Sequence, residues 1–149
     1  MSKSNKRVLR DIKLLSENNT LNLEVIKTNE IECDIKGPSD TPYEKGQWRI
    51  RIMFPEDYPF KSPSVGFLNK IFHPNVDYGS GSICLNVLNQ SWTPIYTAVH
   101  IIDTFIPQLL TYPNAEDPLN PEAAKMLLDS PDTFNKYVKS SIYSNQNNK

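Results

Sequence analysis

The fold is decided by a short alternating segment, WRIRIMF (residues 48–54). Its apolar side chains, Trp48, Ile50, Ile52 and Phe54, occupy every second position. Because successive side chains of a strand point to opposite faces of the sheet, this period of two predicts a strand with one buried and one solvated face. The segment is therefore expected in a sheet that covers a core with one face only.

The segments on either side show the same alternation. The alternating residues are Leu21, Leu23 and Val25, then Ile31, Cys33 and Ile35, and finally Val65 and Phe67. The linkers between them are short and rich in turn residues, so consecutive strands are expected to pair antiparallel. Cys33 lies on the apolar face of its strand, which predicts a buried and unreactive thiol.

Helical periodicity flanks the predicted sheet. An amphipathic helix is predicted from Lys6 to Glu17, and a second, broadly apolar helix from Ala98 to Leu110. Pro107 interrupts the second helix, where a kink or bulge is expected. Two further helices are predicted to start at Asn120-Pro121 and Ser130-Pro131. The pattern predicts an α+β fold: an N-terminal helix, a four-stranded antiparallel sheet and three further helices.

Composition restricts the class of protein. A chain of 149 residues with 38% hydrophobic and 22% charged residues fits one domain, expected to span residues 1–149. The net charge of −1 argues against a nucleic-acid binder. Two cysteines without a CxxC motif suit a reducing compartment. With neither a signal peptide nor a long apolar run, the sequence predicts a cytoplasmic or nuclear protein without a membrane partner.

Residues 54–63, FPEDYPFKSP, form a loop stiffened by three prolines. Proline removes the amide donors that a central strand needs, so this segment is expected to lie outside the sheet. Two interpretations of its aromatic residues stay open. Tyr58 and Phe60 could plug the edge of the domain, or they could form a rigid knob that binds another protein with little loss of entropy.

The chemistry is predicted in residues 72–94, which contain Cys84 and, upstream of it, His73-Pro74-Asn75. A thiol on irregular backbone near a side-chain amide favours acyl transfer, with Cys84 as nucleophile and the amide binding the oxyanion. No general base is evident, because His73 is constrained by the following proline and His100 lies on a later helix. The histidines and cysteines also lack the spacing of metal ligands, so no metal site is predicted.

Several short motifs carry a resemblance to a known family. They are TPYEKG (41–46), YPFKSP (58–63), HPN (73–75), SICL (82–85), WTP (92–94) and DPLNP (117–121). In this order and spacing the chain resembles the ubiquitin-conjugating enzymes over nearly its whole length. The segments NKIFHPN (69–75) and FIPQLLTYPN (105–114) are most similar to the H-type subclass.

The resemblance implies a site and a reaction. Cys84 matches the cysteine that accepts ubiquitin as a thioester before transfer to substrate lysines, and Asp117 matches the acidic residue at the edge of the site. Asn75 matches the asparagine credited with oxyanion stabilisation; its alternative role is to brace the loop before Cys84. No bound cofactor is implied, because ATP is consumed upstream by the ubiquitin-activating enzyme.

The resemblance also implies partners and their surfaces: ubiquitin, the activating enzyme, protein substrates with lysines, and a RING-type ligase, of which a multi-subunit GID/CTLH-like complex is one candidate. Arg7 and Arg10 match positions used by the activating enzyme and partly by ligases. The ligase is expected on Phe60 and on residues Thr93, Pro94 and Ile95, and the bound ubiquitin on the exposed side of the helix around Ile101 and Ile102.

The chain also departs from the family pattern. Asn86 stands where many members have an acidic residue, and the chain ends NQNNK rather than in the acidic extension of H-type relatives. Three other functions stay open: a catalytically silent adaptor of the same fold, an enzyme for another ubiquitin-like modifier, and a small cysteine hydrolase.

Overall fold

The computed structural model describes the backbone of residues 3–147 and the side chains of residues 5–146, so the ends of the predicted 1–149 domain lie outside it. Its helices are α1 (Lys3–Ser16), α2 (Leu85–Gln90), α3 (Ala98–His100), α4 (Ile106–Thr111), α5 (Pro121–Asp129) and α6 (Pro131–Asn147). A 3-10 turn spans Asn19–Leu21 and a π-helical turn spans Ile101–Phe105. Its strands are β1 (Glu24–Lys27), β2 (Glu30–Lys36), β3 (Gln47–Met53) and β4 (Ser64–Phe67).

The strands described here form one antiparallel sheet in the order β1-β2-β3-β4. Ile50 of β3 lies opposite Cys33 of β2 and Phe67 of β4, and all three side chains are buried. Burial alternates along β2 and β3 as the period of two requires. The predicted sheet and the buried position of Cys33 are therefore confirmed.

The edge strand β1 differs from the prediction. Leu21 is buried, but it belongs to the 3-10 turn, and Asn22 after it adopts a left-handed conformation with φ 48°. The strand begins only at Glu24, and Val25 is exposed. The predicted first strand is thus present, but its start and its alternation are wrong, because Leu21 and Leu23 lie before it and Val25 is exposed.

The helices cover one face of the sheet and share its core. Leu15 of α1, Ile50 of β3, Ile106 of α4 and Phe134 of α6 belong to one cluster of buried apolar residues. This arrangement confirms the predicted α+β architecture. None of the described helices combines the length and the hydropathy that crossing a bilayer requires.

Residues 98–111 form one helical segment with an irregular middle. The backbone N–H of Ile106 donates to the carbonyl of Ile101, five residues earlier, which is the bond of a π-helix. Pro107 follows immediately. In a regular helix the N–H of residue 107 would donate to the carbonyl of Asp103, and proline cannot make this bond. The bulge expected at this proline is therefore present, in the turn that precedes it.

Candidate active site

Cys84 lies at the end of a short irregular hairpin that packs on the edge of β4. Val76 and Ile83 form an isolated antiparallel bridge, and Asn75 and Cys84 are the chain neighbours of these two residues. The N–H of Ile83 donates to the carbonyl of Val65 at 3.1 Å, which fixes the hairpin to the sheet. Ile83 is buried and Cys84 is partly exposed. The predicted thiol and the predicted amide thus adjoin the two residues of one backbone bridge.

Gly81 makes this arrangement possible. The N–H of Phe67 donates to the carbonyl of Gly81 at 2.7 Å, and Gly81 has a φ of 78°. A Cβ atom at this position would lie 1.8 Å from the carbonyl oxygen of Phe67. Only glycine accepts both the left-handed backbone and the close approach. The turn before Cys84 therefore requires a glycine at position 81.

A six-residue helix, α2, begins directly after Cys84 and was not predicted. The carbonyl of Cys84 accepts a hydrogen bond from the N–H of Leu88 at 3.2 Å. Leu88 is its one fully buried residue, and six residues are too few for apolar periodicity to predict a helix. Asn86, the position that departs from the family pattern, is exposed on this helix.

Asn75 is almost completely buried, and both ends of its amide bond the backbone of one residue. Its Nδ2 donates to the carbonyl of Asn114 at 2.7 Å, and its Oδ1 accepts from the N–H of Asn114 at 2.8 Å. This pairing braces the loop that leads to Asp117. An amide nitrogen carries two hydrogens, and the bond to Asn114 uses one of them.

Asp117 stands on the same loop, which is tied to the HPN segment a second time. The N–H groups of Leu119 and Asn120 donate to the carbonyl of Pro74 at 2.9 Å and 3.0 Å. Asp117 is exposed and has a positive φ of 49°. Asn120 then caps α5, because its Oδ1 accepts from the N–H of Ala123 at 3.1 Å. The two loops that carry Asn75 and Asp117 are therefore held together by backbone contacts.

His73 is buried and cannot act on the thiol. Its Nδ1 accepts from the N–H of Asn75 at 2.9 Å, so its Nε2 carries the proton and donates to the carbonyl of Leu109 at 2.8 Å. Burial lowers the pKa of His73 to about 4. Because both ring nitrogens are occupied by backbone groups, His73 does not supply the base that a cysteine hydrolase needs.

The two cysteines occupy contrasting environments. Both are free thiols, with Cys33 buried in the sheet and Cys84 partly exposed. Burial raises the pKa of the Cys33 thiol to about 12, which keeps it protonated and unreactive. Across residues 5–146 no group of three or more His, Cys, Asp or Glu side chains is placed to hold a metal ion.

Two neighbouring loops carry the residues expected to bind a ligase. Phe60 is 77% exposed and Ile95 is 85% exposed, and Thr93 and Pro94 are exposed beside Ile95. Tyr58 is buried instead and plugs the edge of the domain, whereas the interpretation of Phe60 as a protein-binding residue stays a prediction. We call Phe60 and residues 93–95 the two-loop surface.

The two arginines of α1 differ in their surroundings. Arg10 is exposed on the outer face of the helix. Arg7 is half-buried, and its Nη1 donates to the carbonyl of Pro94 at 3.2 Å while its Nη2 donates to that of Tyr96. Arg7 is therefore committed to contacts within the chain, which a helical pattern could not reveal because the acceptors lie far along the sequence.

The placement of Ile101 on an exposed helix face is wrong. Ile101 is only 1% exposed, and Ile102 is half-buried. Ile101 begins the π-helical turn, and its side chain lies in the core. The exposed positions of the segment are Asp103, Gln108 and Thr111.

Comparison with known proteins agrees with this geometry. The family model for the ubiquitin-conjugating enzyme matches residues 7–142. The chain is 46% identical over 143 residues to ubiquitin-conjugating enzyme E2-24 kDa of Saccharomyces cerevisiae, covering 95% of this chain and 66% of that protein. It is 45% identical over 138 residues to ubiquitin-conjugating enzyme E2 5 of Arabidopsis thaliana, covering 93% of this chain and 75% of that protein.

A solved structure gives the same result. A Plasmodium yoelii protein assigned as a ubiquitin conjugating enzyme superposes with a TM-score of 0.83 at 32% identity, covering 97% of this chain and 96% of that one. The match of the family model extends over more than half of the chain and includes Cys84, Asn75 and Asp117. The chain therefore belongs to the ubiquitin-conjugating enzyme family.

Proposed function

We propose that this protein carries ubiquitin as a thioester on Cys84 and transfers it to substrate lysines together with a RING-type ligase. The observation that carries the proposal is the contrast between the two thiols. Cys33 is sealed in the core, whereas Cys84 is partly exposed at the end of a hairpin, directly after the residue that bridges to Val76. A flexible peptide terminus can approach only the second sulfur.

The first step is thioester exchange. The Cys84 sulfur attacks the carbonyl carbon of the thioester that the activating enzyme holds; the new C–S bond forms and the sulfur of the activating enzyme leaves. The protein needs no cofactor of its own for this step, since the ATP has been spent upstream. Transfer follows when a lysine amine attacks the same carbon, Cys84 leaves as thiolate, and the amine proton passes to solvent.

Attack by lysine is the difficult step. With a reference pKa near 10.4, only ~0.1% of a lysine is neutral near pH 7.4, which adds ~4 kcal/mol to the barrier. A carboxylate alone would raise that pKa, so we assign Asp117 a role in orienting the amine beside the thioester. The backbone bonds of its loop to Pro74 support this assignment, because they limit how far Asp117 can move from the HPN segment.

Asn75 serves the same step in two ways. Its amide holds Asn114 and with it the loop that carries Asp117. The remaining hydrogen of its Nδ2 is suited to the oxyanion that forms as the amine attacks. We regard bracing as its first role, because the amide oxygen and the amide nitrogen both bond to the backbone of Asn114.

We assign the surfaces for the partner proteins from the exposure of their side chains. We assign the two-loop surface to the ligase, the outer face of α1 with Arg10 to the activating enzyme, and the exposed side of residues 98–111, including the edge of Ile102, to ubiquitin. A multi-subunit GID/CTLH-like ligase and a cytoplasmic or nuclear location stay predictions.

The test is a loading reaction with activating enzyme, ATP and ubiquitin. The proposal expects an adduct that a reducing agent dissolves, and Cys84→Ser is expected to give an oxygen ester that survives thiols. An adduct only with another ubiquitin-like modifier would identify a different enzyme of the family, and no adduct at all would identify an adaptor. Hydrolysis of model thioesters without the activating enzyme would identify a hydrolase.

A further inference from the structure

A fully buried carboxylate lies in α1, outside the active site. Asp11 accepts three hydrogen bonds: from Nε of Arg7 at 3.2 Å, from the backbone N–H of Ala98 at 3.1 Å, and from the hydroxyl of Tyr58. These donors come from α1, from the first residue of α3 and from the 54–63 loop. One side chain thus joins three segments that are distant in sequence.

Arg7 extends this network to the loop after Trp92. Its guanidinium donates to the carbonyls of Pro94 and Tyr96, and it lies 5.6 Å from the centre of the Tyr58 ring. Because the two carbonyls flank Ile95, Arg7 fixes the backbone on both sides of that residue. Asp11 in turn fixes Arg7 through its Nε.

The network therefore lies beneath the two-loop surface. Phe60 follows Tyr58 by two residues, and Ile95 lies between the two carbonyls that Arg7 binds. Both side chains project into solvent, so their relative position is set by the backbone below them. The indole Nε1 of Trp92 also donates to the carbonyl of Pro59 at 2.8 Å, which joins the two loops a second time.

A carboxylate is the only side chain that suits this position. Its oxygens accept from all three donors and place no N–H against any of them. In Asp11→Asn, one end of the amide must face either the Arg7 Nε–H or the Ala98 N–H with a hydrogen of its own. The change also leaves Arg7 without its buried counter-charge.

We propose that Asp11 is a positioning residue: its buried carboxylate holds Tyr58, Arg7 and Ala98 so that Phe60 and Ile95 present one preformed surface to a RING-type ligase. The identity of the partner rests on the proposed function, whereas the placement of the loops does not. Preformed surfaces bind more tightly because less ordering is needed on association.

The experiment compares Asp11→Asn with Asp129→Asn, an exposed aspartate at the end of α5. Three readouts are taken on each protein: amide hydrogen exchange, affinity for an isolated RING domain chosen from a panel as the tightest binder of the wild type, and loading by the activating enzyme. In Asp11→Asn, the Ala98 amide and residues 92–97 are expected to exchange on the order of tenfold faster, and the RING dissociation constant to rise on the order of tenfold.

Loading and the exchange of β2 and β3 are expected to stay unchanged in Asp11→Asn, and Asp129→Asn is expected to match the wild type throughout. Tyr58→Phe keeps the ring and removes one donor, so it is expected to change exchange and affinity in the same direction by a smaller factor. If Asp11→Asn does not fold, the hydrogen exchange and the RING affinity of Tyr58→Phe test the proposal instead.

Unchanged RING affinity in a folded Asp11→Asn protein, or in Tyr58→Phe if that variant alone folds, would overturn the proposal. A wild-type protein that loads ubiquitin but binds no RING domain of the panel would also overturn it, because the surface would have no such partner. Failure of wild-type loading would instead contradict the proposed function, while the exchange of Ala98 would still report whether Asp11 orders the loops.

Discussion

Removing the Asn75 amide tests how the active site is held together. Asn75→Ala deletes two hydrogen bonds to the backbone of Asn114, of 2.7 Å and 2.8 Å. At about 1 kcal/mol net for each bond, the free energy of unfolding should fall by about 2 kcal/mol. For a chain of this size that corresponds to a decrease in Tm of roughly 6 °C. The loop with Asp117 should loosen at the same time, so discharge of loaded ubiquitin to free lysine should slow at least about tenfold.

The assay pairs thermal unfolding with single-turnover discharge, and Asn69→Ala serves as the matched control. The Asn69 amide also bonds the backbone twice, accepting from Arg49 at 2.8 Å and donating to Gln47 at 3.2 Å, but it does so at β3. The control should therefore lose comparable stability and keep its discharge rate. An unchanged Tm for Asn75→Ala with discharge reduced about 100-fold or more would refute the bracing argument and leave only the oxyanion role.

Three further predictions concern the fold around the site. Gly81→Ala should destabilise the protein by at least about 1 kcal/mol in urea unfolding, because a Cβ at φ 78° would lie 1.8 Å from the Phe67 carbonyl oxygen; Gly79→Ala, whose nearest neighbour would be 3.7 Å away, should be nearly neutral, and equal effects would contradict the argument. Burial lowers the pKa of His73 to about 4, below the ~6.5 of a histidine in an unfolded chain. The stability that depends on neutral His73 is therefore fully present above about pH 6.5 and is lost as the pH falls toward about 4. Urea unfolding should show a loss on the order of 1 kcal/mol between pH 7.5 and pH 5.5, and a free energy of unfolding that increases as the pH falls would contradict it. Cys33→Ala should lower stability by about 1 kcal/mol while leaving ubiquitin loading intact; lost loading in a folded variant would show that the buried thiol takes part.

The central strands could be predicted from the sequence because their burial is encoded locally. In β2 and β3 every second residue faces the core, and Asn120 with Pro121 marks the start of α5 by its own capping chemistry. The sequence also places Asn75 and Cys84 on the two sides of one short hairpin turn. These features depend on residues close together in the chain, where periodicity and turn chemistry are informative.

The remaining features depend on contacts between distant residues. The inward position of Arg7 requires the acceptors at Pro94 and Tyr96, which lie 87 and 89 positions away in the chain. Local sequence patterns carry no information about contacts at such a separation. Pro107 predicted a bulge, but the π-helical form of that bulge and the burial of Ile101 depend on how the segment packs against the rest of the chain. The brace on Asn75 uses the backbone of Asn114, which no side-chain pattern could reveal.

The most direct test of the account is to locate the sulfur that carries ubiquitin. Intact mass spectrometry of the loaded protein under non-reducing conditions, followed by peptide mapping, measures the number and the position of adducts. The account predicts one ubiquitin joined through its terminal carboxyl to Cys84, retained in Cys33→Ala and absent as a thioester in Cys84→Ser. An adduct that maps to Cys33, or a thiol-sensitive adduct that persists in Cys84→Ser, would contradict it.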